Sequence, residues 1–302
     1  MEKQRVIGIF DSGVGGLTVA KEILEKLPDV RIVYFGDTAR VPYGNRSREE
    51  LIHFGEEIVT FLVGQGAEVI VVACNTSSAT ALPVLREQFD LPMIGMVEPG
   101  VRLAIEKTLA GRIGLIATET TVRSKAYVFG VNRALTKGIL PEDLVLRKAW
   151  QLGEQEIALV KAQGCPLFVP LIEAGLANST QAQGIAQTYL APLKEAGVDT
   201  LILGCTHYPF LEPVIREFLG EDVLIIDPAL AVVQELEKLL RHMDEWERAG
   251  LVVRPSSSFL SKNQRRSHYY VSGDPGLFRQ VGNTLLQEPI DYVEQVILGL
   301  KD

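Results

Sequence analysis

Residues 69–89 read "VIVVACNTSSATALPVLREQF". Five apolar residues, four of them β-branched, run straight into a cysteine; four polar residues follow, and then a helical pattern begins. A run this apolar suits a strand covered on both faces, as in a parallel sheet with helices above and below. The order recurs along the chain. "VIGIF" precedes "LTVAKEILEKL", "IVYFG" precedes the segment 48–64, "IGLIA" resumes the series, "TLILG" follows a helical stretch at 180–196, and "VLIID" precedes a Leu-rich segment at 229–241. Strands alternating with helices predict a parallel α/β fold.

Residues 201–210, "LILGCTHYPF", repeat the opening device: an apolar run, a cysteine, then hydroxyl-bearing and polar side chains. The first strands echo each other as well, "RVIGIFDSG" near the start and "GRIGLIATE" in the middle. Val/Ile/Leu strands resemble one another in any parallel sheet, so the apolar residues alone prove little. The cysteines at matching strand ends argue for two related halves. Ligands of doubly wound sheets sit outside the carboxyl ends of strands, where Asp11, Cys74 and Cys205 all fall.

A chain of 302 residues, 47% hydrophobic, exceeds the usual single domain of roughly 100–200 residues, so two domains are expected. The net charge of -8 and pI near 5.2 provide no field for a nucleic acid, and Gln264-Arg265-Arg266 is the one basic block that stands out. The N-terminus lacks a signal-peptide core, and no stretch of roughly 18 apolar residues could span a bilayer. A soluble cytoplasmic protein without a membrane or nucleic-acid partner is expected. Cys74, Cys165 and Cys205 are odd in number and form no Cys-x-x-Cys pair, which disfavours disulfides and a structural zinc. The more polar segment 241–266 reads as a surface excursion.

"DSGVGGLT", 11–18, is a glycine-rich turn whose N–H groups and Ser12 hydroxyl could face an anion. It lacks the third glycine of a dinucleotide loop, where Thr18 stands, and the Gly-Lys of a Walker loop. Asp11 beside such amides suits a ligand that also carries a cation, as an amino acid does. Glycine punctuates many strand–helix turns, however. Asn75, Thr76, Ser77 and Ser78 suit the cap of the following helix, whose N-terminal end favours a thiolate at Cys74. A cysteine on a buried strand is often only a small hydrophobe, and Cys165 in "GCPLFVP" is read that way. Cys205 differs, because Thr206 and His207 follow at once and an imidazolium lowers a thiol's pKa. The turn-rich "DTARVPYG", 37–44, and Glu173 at the end of "PLFVPLIE" are further candidates, although loops favour Pro and Gly in any case.

Together "GIFDSGVGGLTV", "YFGDTARVPYG", "ACNTSSA", "CPLFVPLIE" and "LGCTHYP" resemble the glutamate racemases of the cofactor-independent aspartate/glutamate racemase superfamily, with "SGDPGLFR" similar to the family's C-terminal strand and helix. The resemblance runs in order from Ile7 to Pro209; 131–163 and 241–266 look longer than the family pattern. It implies two pseudo-symmetric parallel-sheet α/β domains facing a cleft, the first comprising 1–98 and 208–302 and the second 99–207. It implies Cys74 and Cys205 as the acid–base pair, Cys74 acting on D-glutamate with Asp11 assisting, and Cys205 on L-glutamate with His207 and Glu173 assisting. Substrate contacts would come from Asp11, Ser12, Tyr43, Gly44, Asn75, Thr76, Thr206 and His207. No cofactor or metal is implied, while a homodimer and D-glutamate supply for peptidoglycan are. Three other readings stay open: an aspartate racemase of the same superfamily, a non-catalytic amino-acid-binding module, and a cysteine-nucleophile hydrolase, which would need only one thiol.

Overall fold

The computed structural model describes residues 4–136, 144, 148, 151–152, 156–249, 267–286, 290 and 292–299. Their strands form two sheets in which every pairing is parallel. The first contains β1 (Arg5–Asp11), β2 (Val30–Gly36), β3 (Val69–Val72), β4 (Met93–Gly95), β9 (His268–Val271) and β10 (Val293–Gln295), in the order β10-β9-β2-β1-β3-β4. The second contains β5 (Arg112–Ala117), β6 (Ala158–Gly164), β7 (Thr200–Gly204) and β8 (Leu224–Ile226), in the order β6-β5-β7-β8. The expected α/β fold with two parallel sheets is present.

Burial on both faces explains the apolar runs. β1, β2, β3 and β7 are buried along their whole length. Ile7, Ile9 and Val71 pack on one face with Val232 and Leu236 of the helix Pro228–Arg248. Val6, Phe10 and Val72 pack on the other with Ile58 and Leu62 of the helix Arg48–Gly64. The second sheet has the same two-sided cover: Leu201 and Leu203 meet Leu190 and Leu193 of the helix Thr180–Glu195, while Ile113 and Ile202 meet Val101 and Ile105 of the helix Val97–Lys107. Each such side chain contributes about 1.5–3 kcal/mol relative to exposure.

The two halves match in register as well as in strand order. β1 pairs with β3 through Ile7 and Val69; β5 pairs with β7 through Ile113 and Thr200. Those are the residues that coincide when "RVIGIFDSG" is laid on "GRIGLIATE" and "VIVVACNTS" on "TLILGCTHY". One glycine in each half shows why the match is sterically fixed. A Cβ on Gly8 would lie 2.7 Å from Ile70 Cδ1 and 2.9 Å from Ala67 Cβ, and one on Gly114 would lie 2.7 Å from Leu193 Cδ2 and 2.9 Å from Val198 Cγ1. Ala67 and Val198 each stand two residues before their strand's first aligned residue, so both halves close the same gap with the same missing atom.

Two expected domain boundaries need correction. β8 pairs with β7 through Thr200 and Leu224, so a boundary after residue 207 would cut the second sheet. The boundary at residue 98 falls inside the helix Val97–Lys107, whose Val97, Val101 and Ile105 belong to the second sheet's core. The excursion expected over 241–266 begins as helix, because Pro228–Arg248 continues through its polar end. There Arg5 binds Asp244 at 2.6 Å, Glu247 at 2.8 Å and Glu68 at 2.8 Å, tying the polar end to β1. Residues 250–266, including Arg265 and Arg266, lie outside the described residues, as do most of 137–155. No described helix is long and apolar enough to cross a membrane.

Candidate active site

Both thiols stand where the chain leaves a central strand. Ala73 N–H donates to Phe10 O at 2.9 Å, and Cys74 follows at the start of the helix Asn75–Thr80. Cys205 directly follows Gly204, and Thr206 and His207 lead into the turn Tyr208–Leu211. Both cysteines are buried. Cys74 packs with Tyr43, Leu51 and Phe54. Burial first, then the charge of Asp11, pushes its thiol up to about 11, against the N–H and hydroxyl of Ser77, which favour the thiolate.

Cys205 has a cationic neighbour instead. Its Sγ is 3.9 Å from His207 Nδ1, and His207 Nε2 is 3.0 Å from Glu173 Oε1 at the end of the helix Phe168–Glu173. Burial disfavours an imidazolium, but the hydrogen bonds to Cys205 and Glu173, with the charges of Cys205 and Asp11, outweigh it and raise His207 to about 10. These contacts favour the imidazolium form of His207. Asp11 is held above its ordinary value by burial, opposed by the charge of His207 and by the N–H groups of Gly13 and Gly16. Gly13 N–H donates to its Oδ1 at 2.9 Å.

The two halves meet at these residues. Thr206 Oγ1 donates to Asp11 Oδ2 at 3.4 Å. A Cβ on Gly15 would come within 2.3 Å of Thr206 Oγ1 and 2.5 Å of His207 Nδ1. The glycine-rich turn therefore lets backbone lie against the Thr206-His207 pair. Ser12 is half-buried on the same turn.

A second bridge is built of hydroxyls. The Thr76 and Thr118 hydroxyls lie 2.9 Å apart, and Thr121 Oγ1 is 2.9 Å from Thr118 Oγ1 and 3.3 Å from Thr76 Oγ1. Thr120 Oγ1 donates to Gly44 O at 2.6 Å, bringing the 37–44 loop onto the same segment. Within that loop Tyr43 O–H donates to Asp37, which also accepts from Arg40 and from Ser272. Tyr127 O–H donates to Asn75 Oδ1 at 2.5 Å, while Asn75 Nδ2 is buried without a partner among the described residues. Asn75, Thr76, Ser77 and Ser78 do not cap their helix as expected. They lie inside it, and Ser78 Oγ donates to Val72 O at 2.7 Å and accepts from Met96 N–H at 3.1 Å.

Residues 9–236 match the Asp/Glu/hydantoin racemase family. The chain is 45% identical to the glutamate racemase of Geobacter metallireducens over 97% of both chains, and 42% identical to that of Desulforudis audaxviator over 97% of both. The chain belongs to this racemase family. Two solved glutamate racemases share its fold over 97% of both chains: that of Thermus thermophilus in complex with β-chloro-D-alanine, at TM-score 0.75 and 38% identity, and that of Francisella tularensis in complex with D-glutamate, at TM-score 0.78 and 33% identity. The chain is thus an isomerase of the glutamate racemase group.

Among the residues expected at a racemase site, Asp11, Glu173, Cys205, Thr206 and His207 form one connected set, and Tyr43 packs against Cys74. Gly44 and Thr76 join through the threonines of 118–121. Thr118, Thr121 and Tyr127 were not anticipated. Thr118 takes the place of Ser12 when the two first strands are aligned, a signal the sequence did carry. Its own cap role, accepting from Thr121 N–H at 3.3 Å, gives "TETT" a plain reading as a helix start. Cys165 is buried core, its Sγ 3.6 Å from Gln163 O. A separate cavity of about 430 Å³ opens behind Ser78 and Ala79, lined also by Leu82, Val97, Val101 and Phe129; no residue of the expected site lines it.

Proposed function

We propose that the chain interconverts L-glutamate and D-glutamate by a two-thiol proton transfer at Cα, with no cofactor. The observation that carries this is a pair of buried cysteines at equivalent ends of β3 and β7, set in equal registers but in opposite electrostatic surroundings. Racemisation removes a proton from one face of Cα and delivers another to the opposite face, so it needs one basic and one acidic group on two sides. Burial and the charge of Asp11 keep the Cys74 thiol protonated, while Cys205 Sγ lies 3.9 Å from Nδ1 of His207, whose other ring nitrogen is held by Glu173. In this reading Cys205 takes the proton of L-glutamate and Cys74 returns one to the opposite face.

In this reading Asp11 assists Cys74, and Glu173 holds His207 against Cys205. The hydroxyls of Thr76, Thr118 and Thr121 offer donors to a substrate carboxylate. Asp11, Ser12, Tyr43, Gly44, Asn75, Thr206 and His207 complete the contacts, and a water-poor cleft strengthens each of them. Two domains, 1–96 with 227–302 and 97–226, would close on the substrate. Kinship with glutamate racemases further supports a cytoplasmic homodimer that supplies D-glutamate for peptidoglycan.

Purified protein given L-glutamate and no added cofactor should lose optical purity by circular dichroism. In deuterated water, the D-glutamate formed early should carry deuterium while the remaining L-glutamate stays mostly unlabelled. Racemisation of aspartate in place of glutamate, or activity that appears only with added pyridoxal phosphate or zinc, would overturn the reading.

A further inference from the structure

We propose that Tyr127 is a positioning residue for racemisation: its phenol fixes the side-chain amide of Asn75 so that the Nδ2 protons are presented to a substrate carboxylate. The inference rests on the reading above that Asn75 contacts substrate. Tyr127 stands on the helix Ala126–Thr136 of the second half, and Asn75 follows β3 of the first, 52 residues earlier. Both side chains are at least nine-tenths buried. The ring of Tyr127 is fixed by packing with Val97, Val101 and Val131, and its O–H reaches out of that core to Asn75 Oδ1 at 2.5 Å.

The chemistry of the two groups makes this contact directional. An amide offers acceptors on oxygen and two protons on nitrogen, while a phenol has one proton to place. With Oδ1 toward Tyr127, the phenol proton is satisfied and both amide protons remain available. With the amide turned over, the phenol would accept from Nδ2 and its own proton would be left in a buried site without an acceptor, the costlier arrangement. Burial first, then the charges of Asp227 and Cys205, holds the phenol far above its ordinary value, so it remains a donor across the neutral range. Among the described residues Nδ2 of Asn75 has no partner. A carboxylate supplies the acceptor that this orientation leaves unmatched. Because donor and acceptor come from opposite halves, the amide is correctly turned only when the halves are together.

Tyr127→Phe keeps the ring and deletes the proton. KM for both enantiomers of glutamate should rise about tenfold, the scale of one hydrogen bond to a charged group, while kcat changes less than threefold. Asn75→Ala should raise KM at least as much, and adding Tyr127→Phe to Asn75→Ala should raise it no further. An unchanged KM in Tyr127→Phe beside a raised KM in Asn75→Ala overturns the positioning role and leaves the site reading standing. Additive effects in the double variant also overturn it, since Tyr127 would then act by packing. An unchanged KM in Asn75→Ala overturns the assignment of Asn75 itself. Asn75→Asp covers the case in which Tyr127→Phe does not fold, for it keeps an acceptor for the phenol and removes the amide protons. It should fold and show a KM raised at least tenfold; wild-type KM in that variant would sink the proposal.

Discussion

The two halves share strand order, register and even the glycine that lets the first strand approach its neighbour, yet their thiols stand in unlike company. Cys74 faces an aromatic and aliphatic wall of Tyr43, Leu51 and Phe54 with the carboxylate of Asp11 nearby, which keeps its proton on. Cys205 faces an imidazolium steadied by Glu173. A repeated frame therefore supplies symmetric placement, and a few side chains outside the strands supply asymmetric chemistry. Proton transfer across a planar carbon needs both: matched positions on two faces, and one group that gives while the other takes.

The comparison breaks most visibly at sulfur. Cys74→Ser and Cys205→Ser should each lower racemisation on the order of 10²–10⁴-fold, since a hydroxyl is a far weaker base at neutral pH. They should fail differently. Cys74→Ser should still eliminate a β-leaving group from an L-type analogue, and Cys205→Ser from a D-type one. Equal loss of both eliminations in folded variants would remove the distinction between the thiols.

Next in size is the junction between the halves. Gly15→Ala places a methyl group into Thr206 Oγ1 and His207 Nδ1, at 2.3 and 2.5 Å before relaxation. Displacing these groups by about 1 Å should cost roughly 10²-fold in kcat/KM. Wild-type kinetics in this variant would show that the turn yields freely. The framework itself is sharpened by Gly8→Ala and Gly114→Ala. Both overfill the same kind of gap, and each should destabilise by about 1–3 kcal/mol in denaturant unfolding. A large effect in one and none in the other would mean the equal registers are not equally packed.

A further expected effect lies in the pH dependence of stability. His207 is raised from 6.5 to about 10 in the folded chain, so its contribution is fully present below about 6.5 and is lost as pH rises through about 10. The Cys74 thiol, raised from 9.0 to about 11, makes stability fall again between those values. His207→Gln should flatten the first decline and leave the second. An unchanged first decline would place the proton elsewhere.

Much of this was legible in the sequence because strands buried on both faces write unbroken apolar runs, and Cys74 and Cys205 end two of them. The set joining Asp11, Thr206, His207 and Glu173 could be suspected from residue type and strand end. Sheet membership could not: "VLIID" reads as a strand, but its three paired residues hydrogen-bond to β7, and nothing in their composition names that partner. The helical character of the polar end of Pro228–Arg248 left no local mark, since part of its support comes from Arg5, more than two hundred residues earlier. Tyr127 and Asn75 met the same limit, as a hydrogen bond between halves leaves no mark on local pattern.

The strand order also fixes a sequence of events during synthesis. β2 pairs with β9 through Val33 and His268, 235 positions apart, whereas the second sheet is drawn wholly from residues 112–226. At about 5–20 residues per second, a ribosome that has released β2 needs roughly 10–50 s to deliver the strand that covers it. Throughout that interval the outer edge of Val33–Gly36 presents unpaired N–H and C=O groups to any extended chain nearby. Nascent chains stalled before His268 would leave that edge open for good, so the hazard of misassembly is concentrated in the first half of the molecule even though translation of that half finishes last.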